Sequence, residues 1–374
     1  LADASWRGVT TPNTDTVYSR AYLDLSGGPI NITMPDMDGR YYSLALLDMA
    51  TNNFYIGGRR TTGTLRTTWV IVGPDWAGPM PIDVRIVRAP GNDVLALMRT
   101  LVDGPEDMPA VHTLQDQFTC APLNGTKAAR WGAVPPNGTT AEEWVTMANV
   151  MLERNPPPSY EAPLLAKLRR YGICGKKCTW TKLSPQIQAQ WNARLPDVIA
   201  AMRSGSRGSA VNGWRFSGPL IGNFGTGYYT RAQTAVSGLL ALPIEDAIYP
   251  QMRADEAGNP ITGADRFRLA LPAGVPQVNA FWSLTLYEVT ADGSQYFVDN
   301  EINRYAIGDR TPGLHTNADG SIDLWIQNAA PADETQRANW LPAPTGPFSL
   351  VFRAYEPGAD FRDRRKPLPA LEKL

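Results

Sequence analysis

Alternation with a period of two dominates the last third of the chain. In Asn279–Glu288, Ala280, Trp282, Leu284 and Leu286 fall on one face while Phe281, Ser283, Thr285 and Tyr287 fall on the other, as a strand requires. Ile322, Leu324 and Ile326 alternate with Asp323, Trp325 and Gln327, and Phe348, Leu350, Phe352 and Ala354 with Ser349, Val351, Arg353 and Tyr355. One apolar and one more polar face per strand predicts a half-buried sandwich. Trp282 lies on the apolar face and is expected in the core, whereas Trp325 shares the polar face and is the better exposed aromatic platform.

Upstream, Pro29–Met34, Arg40–Met49, Thr67–Gly73, Asp83–Arg88 and Val94–Leu101 are strand-length runs punctuated by Gly27-Gly28, Asp38-Gly39 and Gly57-Gly58. Gly104-Pro105 opens a helix expected to reach Phe118. Helical spacing then takes over in Thr140–Glu153, Ala162–Tyr171 and Ser184–Arg203, the last with Ser184 as cap and Pro185 at the first helical position. Tyr228–Leu242 is a further predicted helix, ended by Pro243. The fold class is therefore mainly β: an N-terminal β-sandwich over 1–118, a helical middle domain over 119–205 and a C-terminal jelly-roll-like β-sandwich over 206–374.

Composition narrows the function classes. The 374 residues carry 43% hydrophobic and 19% charged side chains with a formal net charge of −1, so no strong field exists to attract nucleic acid or an anionic membrane. No apolar run is long enough for a membrane span. Leu1–Trp6 lacks an initiator Met and the basic and apolar regions of a signal peptide, which leads to the expectation of a matured or truncated chain.

Cys174-Gly-Lys-Lys-Cys178 is a tight pair in a loop. A small-ring disulfide is the favoured reading, with two free thiols or a metal site as alternatives. The metal reading is poor because Cys120, His112 and His315 are the only other soft ligands. No metal or cofactor is expected. Sequons at Asn31, Asn124 and Asn137 are glycosylation candidates, at a frequency that chance alone would give.

Two loops carry more chemistry than connections need. Asn300, Asn303, Arg304 and Tyr305 offer a guanidinium fork, two amides and a phenol, a set suited to a carboxylate or to sugar hydroxyls. The competing reading is a loop-anchoring network in which Arg304 ties backbone carbonyls. Asn339 and Trp340 belong to the second loop. Near the N-terminus, Asn13, Asp15, Thr16 and Tyr18 either contact a ligand or cap turns. His112 has Asp116 four residues later on the same helical face, a spacing at which a carboxylate can orient an imidazole; surface or packing roles compete. His315 is expected to be exposed. Asp48, Asp299 and Asp309 complete the carboxylate pool with Asp15 and Asp116.

Pro12-Asn-Thr-Asp-Thr-Val-Tyr18, Arg40-Tyr-Tyr42, Asp48 and Ala110-Val-His-Thr-Leu-Gln-Asp-Gln117 together resemble the DUF1254 family. Asn223-Phe-Gly-Thr, Ala247-Ile-Tyr-Pro, Asn279–Tyr287, Asn303-Arg-Tyr-Ala-Ile-Gly-Asp-Arg310 and Asn339-Trp-Leu-Pro-Ala-Pro344 resemble its usual C-terminal partner, DUF1214. The resemblance implies a small sandwich, a helical middle and a larger jelly-roll-like sandwich. It also implies an N-terminal helical segment, often behind an export signal, of which only a short stretch precedes Pro12. The paired cysteines depart from the family, whose members tend to have a Pro-Gly-Lys type turn there. No activity is implied.

The sequence thus leads to an exported (periplasmic or extracellular) protein binding a small polar ligand or saccharide in a cleft between the β domains, where Asn13–Tyr18 meets Asn300–Tyr305 and Asn339–Pro342. The alternatives are a hydrolase or lyase using acidic residues with His112 or Arg304, and a structural or assembly protein. A homo-oligomer is compatible with all three.

Overall fold

The computed structural model describes residues 1–123, 138–204, 209–255 and 258–374. The N-terminal unit is a sandwich of two four-stranded sheets. The first runs Thr16–Asp24, Asp93–Leu101, Tyr42–Leu47, Asn53–Gly58, with every neighbour antiparallel. The second runs Arg85–Arg88, Thr67–Val72, Ile30–Met34, Thr119–Pro122, with Thr67–Val72 and Arg85–Arg88 parallel. Leu44, Leu46, Ile32, Trp69, Ile71 and Met98 fill the space between them. Thr119–Pro122 joins this sandwich beyond the expected boundary at 118 because its residues complete the edge beside Ile30–Met34.

The helical middle forms for local reasons. Thr140 and Glu143 make a reciprocal capping box at the start of Ala141–Arg154. Pro156-Pro157-Pro158 separates this helix from Ala162–Leu168. Helix Pro185–Ser204 starts where the Ser-Pro pair predicts, with Ser184 Oγ 3.4 Å from the Ile187 N–H. Arg154 fastens the segment to the N-terminal sandwich through Asp93 (2.8 Å) and Asp24 (3.0 Å).

Two elements are shorter than the periodicity predicts. The helix after Gly104 covers Met108–Gln115, preceded by a 3-10 turn. The helix from Tyr228 stops at Ser237, ahead of Pro243. Gly238 releases the chain there, and Leu240 and Leu242 are thereby delivered to the seam between the two β units.

In the C-terminal unit an eight-stranded sheet centred on Val278–Val289 and Phe348–Pro357 packs on a four-stranded sheet ordered Trp340–Pro342, Ile322–Gln327, Phe267–Leu271, Glu372–Lys373. Trp282, Leu284, Leu286, Leu350 and Phe352 face the core. Trp282 stacks on Phe352 with ring centroids 5.3 Å apart. The half-buried expectation fails for the central strands: every residue of Phe348–Pro357 is buried. Their second face, carrying Phe281, Ser283, Thr285, Tyr287, Arg353 and Tyr355, is covered by the N-terminal unit. Tyr41, Ala45, Leu47 and Leu97 supply the opposing apolar surface. Tyr41 meets Phe281 and Tyr355 edge-on at 5.3 and 5.4 Å.

Candidate functional site

The sequence-selected loops come together in part. Arg304 reaches the second loop, donating from Nη1 to the carbonyls of Ala338 and Trp340, both at 2.9 Å. Burial lowers the pKa of this guanidinium from its usual value. Asn300 closes its own loop by donating to Val298 O and Arg304 O and accepting from Arg304 N. Asn303 has left-handed backbone, and Tyr305 stacks on Phe297 at 4.7 Å. Buried Asn339 donates to His315 O and Asp323 O and accepts from His315 N. Trp340 is buried and donates its indole N–H to Gln327 O at 2.8 Å. Trp325 is half-buried beside Trp340 on the neighbouring strand. These contacts form the loop-anchoring network, with Arg304 at its hub.

Asn13–Tyr18 goes elsewhere. Asn13 accepts from Asp15 N at 2.6 Å and donates to Thr16 Oγ1 at 2.8 Å. Its amide also reaches the hydroxyls of Tyr355 (3.3 Å) and Tyr18 (3.4 Å). Asp15 is buried, accepts from Ser283 Oγ at 2.6 Å and pairs with Arg310 at 3.1 Å. A stack of Tyr287, Phe297 and Tyr305 fills the space toward the Asn300 loop, and Tyr287 Oη donates to Pro12 O at 2.6 Å. Desolvation pushes the Tyr18 hydroxyl up, but Arg99, the Asn13 amide and Arg353 outweigh it and hold it below the usual phenol value. Asp309 is exposed as a residue, yet its carboxyl is turned toward the Trp282 N–H at 3.2 Å, and desolvation there pushes it up to about 6.

His112 and Asp116 are both exposed at the far side of a short helix and are linked by a backbone hydrogen bond from Asp116 N to His112 O. Neither joins the Asp15 cluster. Asp48 closes a turn with Asn52, Asp299 is exposed, and His315 is exposed as expected. Asn31 sits mid-strand with partners on both sides. Asn124 and Asn137 lie outside the described residues. Cys174 and Cys178 are joined in a disulfide, and Cys120 is a free, exposed thiol. Among the described residues no His, Cys, Asp and Glu side chains gather as a metal-binding group.

An open cleft does exist between the β units, at the end of the seam away from Arg304. Its volume is about 540 Å³, and Gly39, Arg59, Arg60, Gly63, Thr64, Asn279 and Glu356 line it. Gly58 makes it possible: its φ of +145° and a Tyr42 carbonyl 2.4 Å from where a Cβ would stand exclude any other residue. The tight turn after Gly58 presents the two arginines. Arg59 donates to Glu356 Oε2 (2.5 Å) and Asn279 O (2.9 Å). Arg60 holds Asp246 through two parallel bonds at 2.9 and 3.0 Å.

Glu356 is the unusual member. It is 4% exposed, has a left-handed φ of +50°, and its Oε1 has no hydrogen-bond partner among the described residues. Burial raises its carboxyl, and the opposing pull of Arg59 and Arg60 does not reverse this; Asp246 raises it further. Asp246 is likewise raised by burial against the pull of Arg60. This quartet is not among the sites the sequence singles out, although adjacent arginines after Gly57-Gly58, and a second charge, Glu356, three residues after Arg353 in the same strand, are the signals that mark it.

Two β units joined through a buried polar seam define the class of protein. Residues 1–122 match the family model described as Protein of unknown function (DUF1254), and residues 246–359 match that described as Protein of unknown function (DUF1214); the chain belongs to the proteins that carry both domains. The fold is similar to the crystal structure of the VPA0106 protein from Vibrio parahaemolyticus, with a TM-score of 0.79 and 23% identity over 97% of this chain and 90% of that one. An uncharacterized protein from Burkholderia cenocepacia aligns over 98% of this chain and 77% of its own at 12% identity and a TM-score of 0.44. The comparison with curated proteins finds no match. No helix among the described residues is long and apolar enough to cross a membrane.

Proposed function

We propose that this protein binds a small polar ligand, of the polyol or saccharide type, in the cleft between its β units, at Arg59, Arg60, Thr64, Asn279 and Glu356. The observation that carries the reading is Glu356: a buried, strained carboxylate with one oxygen unpartnered, at the wall of an open cleft. Strained backbone and unsatisfied buried groups cluster where structure is maintained for function. The lining offers guanidinium and hydroxyl donors and carboxylate and amide acceptors, the mixed set that vicinal hydroxyls require. Among the described residues no aromatic ring lines the cleft, so the reading is of recognition by hydrogen bonds rather than by stacking. Titration calorimetry against a panel of neutral and uronic oligosaccharides tests this. Binding that weakens at least tenfold in Arg59→Met and Glu356→Gln sustains the reading, whereas no binding, or binding indifferent to both changes, ends it.

A second reading has its own support. Two carboxyls raised above their ordinary values beside one cleft, Glu356 and Asp246, fit a general acid with an ionisable neighbour. Release of nitrophenol from pooled nitrophenyl glycosides and esters, abolished in Glu356→Gln with binding retained, distinguishes catalysis from binding. The cleft supports an export role no better than a cytoplasmic one, and the Cys174–Cys178 disulfide is what supports the oxidising compartment.

A further inference from the structure

Arg99 lies in a cross-strand row between Tyr18 and Ser43 on the face of the N-terminal sheet that meets the C-terminal unit. It is 7% exposed. Its Nη2 donates to the Leu240 carbonyl at 2.9 Å, while Nη1 is sealed from solvent without a partner among the described residues. Two neighbours share its burial: Ser43 Oγ and the Tyr41 hydroxyl have no well-formed hydrogen bond among the described residues, although they lie close enough for Ser43 to act on the Tyr41 phenol. Tyr18, Tyr41, Tyr249 and Tyr355 surround the guanidinium. Arg353, 6% exposed and bonded to the neutral hydroxyls of Thr285 (2.7 Å) and Tyr287 (2.8 Å), adds a second positive charge to the seam. The acids within reach are engaged: Asp246 with Arg60 and Asp15 with Arg310 and Ser283.

An arginine does not lose its proton, so burial leaves its charge in place. A buried cation without a counter-charge is strongly unfavourable, and unpartnered donors beside it add to the penalty. Arg99 Nη1–H has no acceptor among the described residues, and if one hydroxyl of the Tyr41 and Ser43 pair donates to the other, the second O–H is left in the same position. A species that accepts from Arg99 and from that free hydroxyl and carries one negative charge removes both penalties. We propose that Arg99, Tyr41 and Ser43 form a buried binding site for a compact monoanion, either a halide or the carboxylate of a small acid, that holds the two β units together. The site is separate from the Arg59–Glu356 cleft and does not depend on what that cleft binds.

The test uses the whole chain. Crystals grown in bromide should show an anomalous peak within hydrogen-bond distance of Arg99 Nη1. In solution at constant ionic strength, with bulky isethionate as the background anion, the melting temperature should climb with the logarithm of added chloride or formate, because only the folded form holds the site. Arg99→Met should abolish that dependence, and Arg99→Lys should retain part of it. A response to formate that exceeds chloride assigns a small carboxylic acid; the reverse assigns a halide. Two results overturn the proposal: no bromide at Arg99 with a flat anion response, or an anion response that survives in Arg99→Met. If Arg99→Met does not fold, the bromide map of the unaltered protein decides.

Discussion

Asp15, in the N-terminal sandwich, accepts a 2.6 Å hydrogen bond from Ser283 in the middle of the longest strand of the C-terminal unit. Arg310 closes on the same carboxylate at 3.1 Å while also pairing with Asp103, and its guanidinium lies 4.3 Å from the Phe281 ring centroid. One carboxylate thus joins two sheets across a seam that mixes apolar side chains with buried Ser43, Arg99, Thr285 and Arg353. Asp15→Ala leaves Arg310 half-satisfied and Ser283 without its acceptor. We expect a loss of about 3 kcal/mol in urea unfolding, the lower end for breaking a buried pair, because Asp103 remains. Ser283→Ala alone should lose about 1 kcal/mol. A double-mutant cycle reading no coupling between the two would show that the contact does not dock the units.

Glu356 makes the pH dependence informative. Its carboxyl is raised in the folded protein, chiefly by burial. Stability from a raised group is fully present below the unfolded value of about 4.3 and is lost as the pH rises through the higher folded value. Glutamine does not ionise and escapes that loss. Relative to the unaltered protein, Glu356→Gln should therefore gain stability as the pH rises from about 4.3 through the raised folded value, and the difference should level off above it. Chemical unfolding at several pH values checks the slope, and a relative stability that falls with pH would mean that Arg59 dominates burial.

Arg304 should behave as an anchor. Arg304→Met removes charge-assisted bonds to the Ala338 and Trp340 carbonyls. The expected cost is about 2 kcal/mol of stability. Saccharide affinity at the Arg59–Glu356 cleft should stay within twofold. A variant of unchanged stability that has lost ligand binding would return the site to the Arg304 loop.

The thiols can be counted directly. Under non-reducing, denaturing conditions one alkylation per chain is expected, at Cys120, and three after reduction. Cys174→Ser with Cys178→Ser should lower stability by about 2 kcal/mol, as a short closed ring predicts. Protection in hydrogen exchange should fall first around Ile173 and Gly175, which Asn149 otherwise holds through bonds to Gly172 O, Cys174 N and Gly175 N.

The sequence by itself determined the elements, because their causes are local. Alternation marked Val278–Val289, Ile322–Gln327 and Phe348–Pro357, and Ser184-Pro185 marked the start of the longest helix. The family was legible for the same reason: its motifs are contiguous runs of residues. What the sequence left undecided was which face of a strand meets what. Ser283, Thr285 and Arg353 read as a solvent-facing polar side, yet they are buried because a second sheet lies over them. Only tertiary contact brought Arg59 to Glu356, 297 residues apart, or set Arg99 beneath the Leu240 carbonyl. The Asn300–Arg304 and Asn339–Trp340 loops are rich in polar groups because irregular backbone needs partners, and here their own side chains supply them. A charge inside an apolar run was the available sign of the seam, but its partner is set by the packing of the two sandwiches, which no local pattern encodes.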